Sequence, residues 1–549
     1  MKEIEVTDIY QKYLKSHEYM NKKNLVKRTD RCWDMYVGNQ WKNLQTGGEE
    51  LPIMNMIQPI VKYKVSTIAQ SAMTANFTDA ETREEMNDIF KLLNKKFAQS
   101  WEKAKMDDVK WKMNKYSAVQ GDTYALFWSK DTNDMPQILQ NTSVLFGDEN
   151  IQDIQKQPYI IIRERLSLSQ VLEEAKKNGI SEVEMQTITV DDDTTDQIQN
   201  KDEVSDKVTS YLYLDKDEEG TVRMCKSTKT CIYKPFSSFL STDKDGVAGR
   251  LKSYPIVSLI WEPIPNSARG ISEVEKLIPN QIELNKTLAR RAVSVRMSAF
   301  PRLAYDKSAV TNPKDLMKVG AAIGIQGGGA QSINQMISYL SPANTSSDAQ
   351  ALFSDLLLQT KDLDGAGDMA LGNINPERTS GEAITAIRDQ TQIPLNEQVK
   401  INSQFVEDVA NLWFDMWTTW DIEEFKQPAV SPLGEPVLDD FEQPVMARMS
   451  MADLEKLKPS VRVDVSEDNR WTRLSEQQAL DGLLQQGHIT FDEYVELAPE
   501  NSVLPNGKLK KILDRRKAMQ AEQQAMMEEQ MAQQPPEQMP PEEQSPLPQ

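Results

Sequence analysis

The chain has 549 residues, a formal net charge of −20 and a hydrophobic content of 39%. This length allows several domains or one elaborate subunit with a sizeable core. The acidic balance argues against a protein that grips DNA over its whole surface, because binding by phosphate neutralisation requires an excess of Lys and Arg.

The N-terminal region is predicted to be mainly helical. Helical patterns cover residues 6–36, 59–74 and 83–119, and the last has apolar residues at helical spacing. Trp33 lies near the end of the first pattern and Trp41 just after it, and we interpret them as anchors packed into the core.

A region rich in β-forming residues follows, with one short helix predicted over 168–177. Three of its segments, 211–214, 222–226 and 230–234, are close enough in sequence to form a small antiparallel sheet. The other predicted strands are 123–128, 137–146, 159–166 and 256–261.

Acidic residues are concentrated in 181–220, which has 13 acids and three Lys. The VDDDTTD run at 190–196 supplies the oxygen ligands that a divalent cation prefers. Acids without a fixed turn or helix more often form a solvated loop, so we favour a loop over a metal site.

Two long helices are predicted in the second half of the chain. The first covers 270–300, where Ser272 and Glu275 form a capping box, and it would extend ~45 Å. The second runs from Thr345 to Leu363. The intervening residues 301–343 are rich in Pro and Gly and contain short β-like pieces, which indicates a compact excursion.

A glycine-containing loop follows and leads into a third long helical pattern, 379–420, in which Pro394 is predicted to introduce a kink. Beyond it, residues 427–460 contain four prolines and are interpreted as a linker. A strand at 461–465 and helices at 470–486 and 507–532 come next, and the Pro/Gln/Glu-rich end after Gln534 is predicted to be disordered.

Residues that usually carry chemistry are few, so no enzyme activity, metal or cofactor is predicted. His17 and His488 are the two histidines, and Gly327–Gly329 lacks the Lys of a phosphate-binding loop. The odd set of three cysteines fits a reducing compartment. No run approaches the ~20 apolar residues of a membrane span, and the charged N-terminus does not look like a signal peptide.

Four segments together resemble the portal proteins of tailed bacteriophages. They are W-x2-Y-x-G-x-Q-W at 33–41, the helix–excursion–helix unit 270–363, GNINPERTSGEAI at 372–384, and the segment 461–499, which begins VRVDVSEDNRWTRLSEQQAL and ends GHITFDEYVELAP. The resemblance implies a predominantly helical α+β subunit. Such subunits form a ring, most often a dodecamer, at one capsid vertex, and double-stranded DNA passes through it during packaging and ejection.

The resemblance also implies a division of the chain into parts. These would be the wing (1–269), stem helix 1 (270–300), the clip (301–343), stem helix 2 (344–363), the channel loop (364–379), a kinked wing helix (380–426), a linker (427–460), the crown with C-terminal helices (461–534) and a disordered tail (535–549).

The site residues follow from that division. The channel loop would use Asp362, Asp364, Gly365, Gly367, Asp368, Asn373 and Asn375. A basic belt, defined as Lys286, Arg290, Arg291, Arg296, Arg302 and Lys307, would contact either DNA phosphates or acidic residues of a neighbouring subunit. Lys314 and Lys318 would serve docking at the clip. Between Lys286 and Lys318 there are eight basic residues and two acidic ones.

The implied partners are further copies of the chain, double-stranded DNA, terminase, the major capsid and scaffolding proteins, and head–tail adaptor proteins, with no membrane. The implied location is the portal vertex of a virion assembled in the host cytoplasm. A different virion structural protein, such as a head–tail adaptor or a baseplate subunit, is the alternative, although adaptors are usually much shorter.

Overall fold

The computed structural model of the chain describes residues 5–42, 51–69, 71–79, 87–191, 206–240, 251–299, 303–316, 318, 322–326, 337–339, 347–363, 393–420, 425–428, 446–449, 459–467, 480, 482–490 and 494. Two compact units are present. One comprises Met1–Ala69 and Met73–Val465, and the other comprises Gln70–Ala72 and Ser466–Gln549. Helices and several sheets occur together, which confirms the α+β class.

The first predicted helix is in fact two, α1 (Val6–Lys22) and α2 (Leu25–Val37). Asn24 separates them with a left-handed backbone, φ 51°. Asn tolerates this conformation better than most residues, so the break needs no glycine.

The next helix, α3 (Ile57–Ala69), is shorter than the predicted 59–74. Strand β1 (Ser71–Asp79) begins two residues after it and pairs with β14 (Pro459–Glu467). Met73, Ala75 and Phe77 are buried at every second position, the period of a strand with one covered face.

The predicted helix 83–119 is likewise divided, into α4 (Asn87–Lys103) and α5 (Met106–Gln120). Lys105 makes the corner at φ 52°. The indole Nε1 of Trp101 donates to Asp107 Oδ1 at 3.0 Å across the break. A tertiary contact therefore holds a conformation that local preference disfavours.

Two antiparallel sheets form the β part of this unit. One has three strands in the order β3 (Gln137–Gln140), β2 (Asp122–Leu126) and β9 (Ile256–Ile260). The other is a five-stranded meander of β4 (Val144–Phe146), β5 (Tyr159–Ser167), β6 (Lys207–Lys216), β7 (Val222–Ser227) and β8 (Ile232–Ser238). The predicted antiparallel pairing within 211–234 is thus confirmed. Helices α6 (Leu168–Lys177) and α7 (Glu182–Met185) lie between β5 and β6 in sequence.

The remaining elements come after these sheets. Helix α8 (Glu273–Ala299), strands β10 (Leu303–Tyr305) and β11 (Ile337–Tyr339), and helix α9 (Ser347–Leu363) precede helix α10 (Asn396–Trp420). Pro394 lies in a 3₁₀ turn, Ile393–Leu395, at the start of α10. Residues 379–392 of the predicted kinked helix lie outside the described residues.

Aromatic packing around α10 builds the largest core. Trp413 and Trp417 are almost fully buried, and the Trp413 ring lies 5.3 Å from that of Phe97. Such ring pairs stabilise a core beyond their buried area. The two predicted anchors are less covered, since Trp33 and Trp41 are half-buried.

The predicted linker 427–460 contains regular structure, which corrects the interpretation of this segment. Strands β12 (Phe425–Pro428) and β13 (Met446–Met449) pair antiparallel. Pro428 lies at the end of its strand, where a missing N–H is tolerated.

A buried arginine joins the two sheets. Arg269 Nε and Nη2 each donate to the Glu149 carboxylate at 2.9 Å, and its Nη1 lies 3.3 Å from an Asp122 oxygen. The guanidinium also donates to the carbonyls of Asn141 and Val144, at 2.7 and 2.6 Å. Burial alone would lower the pKa of Arg269, but Glu149 raises it well above its ordinary value.

Arg269→Met is expected to lower the free energy of unfolding by about 3–5 kcal/mol, because two buried carboxylates lose their cation. Urea unfolding followed by tryptophan fluorescence measures this. Arg31→Met is the matched control, since Arg31 is exposed, and it should leave the midpoint unchanged. Equal midpoints for both variants would contradict the structural role of Arg269.

Candidate functional site: a helical hairpin and its tip

Helices α8 and α9 form an antiparallel hairpin. Asn280 Nδ2 of α8 donates to Thr360 Oγ1 of α9 at 3.1 Å, and Arg291 Nη2 donates to Gln350 Oε1 at 3.3 Å. As one residue number rises the other falls, so the helices run in opposite directions. The helices predicted at 270–300 and 345–363 are confirmed, with ends that differ by no more than three residues.

Charged pairs fasten the first turn of α8 to the protein body. Glu273 is buried and accepts from Lys64 Nζ at 2.9 Å and from Trp261 Nε1 at 2.7 Å. Glu275 binds Arg28 through two hydrogen bonds of 2.9 and 2.6 Å, and this hydrogen bonding raises the pKa of Arg28. Both carboxylates lie at a helix N-terminus, where the helix dipole favours negative charge.

Buried amides extend this attachment by two more turns. Gln281 accepts from the Met56 N–H at 2.9 Å and donates to the Met54 carbonyl at 2.8 Å. Asn285 Oδ1 accepts from the Met54 N–H at 3.2 Å, and its Nδ2 donates to Gln40. The segment before α3 is therefore bound to α8 by side chains, and residues 273–285 form a fixed root for the hairpin.

Sequence reasoning did not identify these amides as important. Its one signal here was the capping box. The structure shows one half of it, since the Glu275 N–H lies 3.4 Å from Ser272 Oγ, while the Glu275 carboxylate binds Arg28. Ser272 Oγ also donates to the carbonyls of Ala118 and Val119. Gln281 and Asn285, polar residues in an otherwise apolar stripe, were the available signal for the rest.

The predicted basic belt is distributed around the outer half of α8. Lys286 and Arg290 are exposed and flank Glu283, with Lys286 Nζ 2.8 Å from its carboxylate. This hydrogen bond, together with the charge of Arg290, lowers the pKa of Glu283. Arg291 contacts α9 instead. Arg296 is exposed, and Arg302 lies outside the described residues.

Apolar side chains remain uncovered on the hairpin. The exposed fractions are 56% for Val295, 52% for Leu352 and 45% for Leu358. Each of these is an exposed apolar side chain that another molecule can cover.

Between the two helices in sequence is a tip, residues 301–343, whose described part contains a short strand pair and a turn. Strands β10 and β11 pair antiparallel, with Leu303 opposite Tyr339. Beyond them, Asn312 accepts from the Gly324 N–H at 2.9 Å and donates to the Ala322 carbonyl at 2.8 Å. One isolated antiparallel bridge, between Val310 and Ile325, lies in the same part of the tip.

The predicted docking lysines, Lys314 and Lys318, lie on this tip and are exposed. Lys307, the last member of the predicted basic belt, is exposed here as well. Lys318 Nζ is 2.8 Å from the Asp315 carboxylate, and this hydrogen bond lowers the pKa of Asp315.

Of the residues predicted for the channel loop, the structure describes Asp362. Asp362 is exposed in the last turn of α9. The other members, Asp364, Gly365, Gly367, Asp368, Asn373 and Asn375, lie outside the described residues.

The acidic run 190–196 is described at Val190 and Asp191. Asp191 forms an ion pair with Arg165 and accepts from Thr209 N at 3.0 Å, so it holds strand ends together. Within the described ranges no group of three or more His, Cys, Asp or Glu is placed to hold a metal ion. Those ranges also contain no helix that is long and apolar enough to cross a membrane.

Comparison with known proteins does not assign the chain to a family. No protein-family model matches the chain, and no curated protein does. Among solved structures, a chain from the "Virion of native gene transfer agent (GTA) particle" is 9% identical, with a TM-score of 0.33, over 80% of this chain and 89% of that chain. A TM-score of 0.33 does not establish a shared fold.

Glu273→Gln is expected to lower the free energy of unfolding by about 3 kcal/mol, because Lys64 stays buried without its counter-charge. Glu283→Gln on the same helix removes an exposed partner of Lys286 and should leave stability unchanged. Urea unfolding of both variants makes the comparison. A Glu273→Gln midpoint equal to that of Glu283→Gln would show that the root does not depend on this charge pair.

Proposed function

We propose that this chain is the portal subunit of a virion. In this role many copies form a ring at one capsid vertex, and double-stranded DNA passes through the ring during packaging and ejection. This proposal includes the more general one that the chain is a structural protein of a virion.

The hairpin is the observation that carries the proposal. Two long antiparallel helices are separated by a small β-containing tip, and a third long helix, α10, follows in sequence. This order agrees with the stem helix, clip, stem helix and wing helix that the sequence resemblance implies. The proposal also explains why α8 is bound firmly at residues 273–285 and carries uncovered residues beyond them.

The exposed apolar residues support assembly from several copies. Val295, Leu352 and Leu358 would be covered by neighbouring hairpins in a ring, in which each subunit presents one face to the next. The exposed Lys286 and Arg290 would then contact either acidic residues of the next copy or DNA phosphates, the second weakly and with strong salt dependence.

The tip would dock the partners that change during assembly. Lys307 and Lys314 give it exposed positive charge within an acidic protein. Terminase during packaging and head–tail adaptor proteins afterwards are the proposed partners, and the major capsid and scaffolding proteins would surround the ring. A conduit of this kind requires no bond chemistry and no cofactor from the chain.

Negative-stain electron microscopy with class averaging tests the proposal on the purified full chain. The expected result is a ring of high rotational symmetry with an axial hole wide enough for duplex DNA, in the presence of scaffolding protein if the chain alone stays monomeric. A closed dimer or a solid particle under both conditions would contradict it and favour the adaptor or baseplate alternative.

Val295→Asp combined with Leu352→Asp is expected to prevent ring formation. Burying one such apolar side chain contributes about 1.5–3 kcal/mol, so the double change should weaken assembly by about tenfold or more. Sedimentation velocity measures the assembled fraction. Val183→Asp is the matched control, because Val183 is 76% exposed on α7. If the double variant assembles as well as this control, the hairpin surface is not the interface.

A further inference from the structure

A polar cleft lies apart from the hairpin, between α10, β9 and the 3₁₀ turn Ile154–Lys156. Its volume is about 510 Å³. Ile154, Ile256 and Leu412 contribute buried apolar surface to its lining, and Asp153 and Asp408 contribute carboxylates. A cavity with an apolar floor and a few convergent polar groups is the usual form of a ligand site.

Asp408 is a half-buried carboxylate with no cation beside it in the described part of the chain. Its side chain accepts one hydrogen bond, from Gln404 Nε2 at 3.0 Å. Burial, together with the negative charges of Glu407 and Asp153, raises the pKa of Asp408 to about 6. An incoming cation would relieve this unfavourable environment.

The other charged groups around the cleft already have contacts. Asp153 pairs with Lys156 at 3.1 Å on the exposed rim. Lys216 donates to the Gln155 carbonyl at 2.8 Å, and Asp415 accepts from the Ser253 N–H. Asp408 is therefore the carboxylate of the cleft that a cationic ligand would stabilise most.

Hydrogen-bond acceptors surround Asp408. The amide nitrogen of Gln404 donates to Asp408, and that of Gln152 donates to the Ile264 carbonyl at 2.8 Å. Neither amide oxygen accepts a hydrogen bond within the described part of the chain. The Asn411 side chain makes no hydrogen bond with the described residues. A planar guanidinium has five donors and a weakly hydrated face, and it matches such acceptors above an apolar floor better than a compact ammonium does.

We propose that this cleft binds a guanidinium group, which donates to Asp408 while its face and aliphatic stem lie on Ile256 and Leu412. The group would come either from an arginine side chain of a second copy of the chain or from another arginine-bearing molecule. The assignment would hold for a monomer and does not depend on the proposed ring.

Calorimetric titration of the monomeric full chain with L-argininamide tests the site. Wild-type protein should bind L-argininamide at least about tenfold more tightly than L-citrullinamide, its uncharged near-isostere. Asp408→Asn should reduce the affinity for L-argininamide by about tenfold or more, because it removes the charge and keeps the shape. Glu397→Gln, exposed in the first turn of α10 and outside the cleft lining, should change the affinity less than about twofold.

The proposal is overturned if L-argininamide binds Asp408→Asn as well as wild type, or shows no preference over L-citrullinamide. Asn411→Lys supplies a second check, since it places a cation in the cleft within the chain and should abolish binding. Retained binding by that variant would also contradict the assignment.

Sedimentation velocity distinguishes the two sources of the guanidinium. If the second copy supplies it, L-argininamide and Asp408→Asn should both reduce self-association by about tenfold, and Glu397→Gln should not. If assembly is unaffected by either while L-argininamide still binds the monomer, the proposal stands with a different arginine-bearing partner. Binding of L-argininamide is measured without reference to rings, so its failure is separate from any failure of the proposed function.

Discussion

The buried charge of Arg269 is the constraint on which the arrangement of this protein depends. One guanidinium donates to two carboxylates and two backbone carbonyls, and these include groups of both sheets. A cation withdrawn from water requires such complete pairing. Because Arg269 is four residues before α8, the same network sets where the hairpin leaves the body.

Close backbone packing adds to this constraint. A Cβ atom on Gly121 would approach the Gly270 carbonyl oxygen to 2.6 Å, and one on Gly270 would meet the Gly121 oxygen at the same distance. Gly121 also has φ +100°, which side-chain-bearing residues rarely adopt. The residue after α5 and the segment before α8 are thus in close backbone contact, in addition to the ion pairs of Arg269.

The hairpin has two parts with different physical character. Its root, residues 273–285, pairs nearly all of its polar groups with the body, whereas the outer part exposes both cations and apolar side chains. Rigid attachment with an uncovered outer surface is what a repeated subunit contact requires. The cleft at Asp408 differs again, since it is concave, rich in acceptors and negatively charged.

Sequence patterns were reliable where a local rule decides the structure. The apolar stripes and the capping box at Ser272 predicted α8 and α9 to within three residues, and the β-rich runs predicted the antiparallel pairing of β6, β7 and β8. They failed at Asn24 and Lys105, because a left-handed residue other than Gly leaves no clear signal. They also missed β12 and β13, whose pairing spans many residues rich in proline.

The sequence by itself determined the α+β class, the long helices and their order, because helical periodicity and caps act over a few residues. Only the tertiary structure decided which polar residues matter. Asp122 and Arg269 are 147 positions apart and Asp153 and Asp408 are 255 apart, and nothing local distinguishes them from the other acids and bases of the chain. Burial and proximity make Arg269 a structural centre and Asp408 a candidate site, and both arise only when the chain has folded.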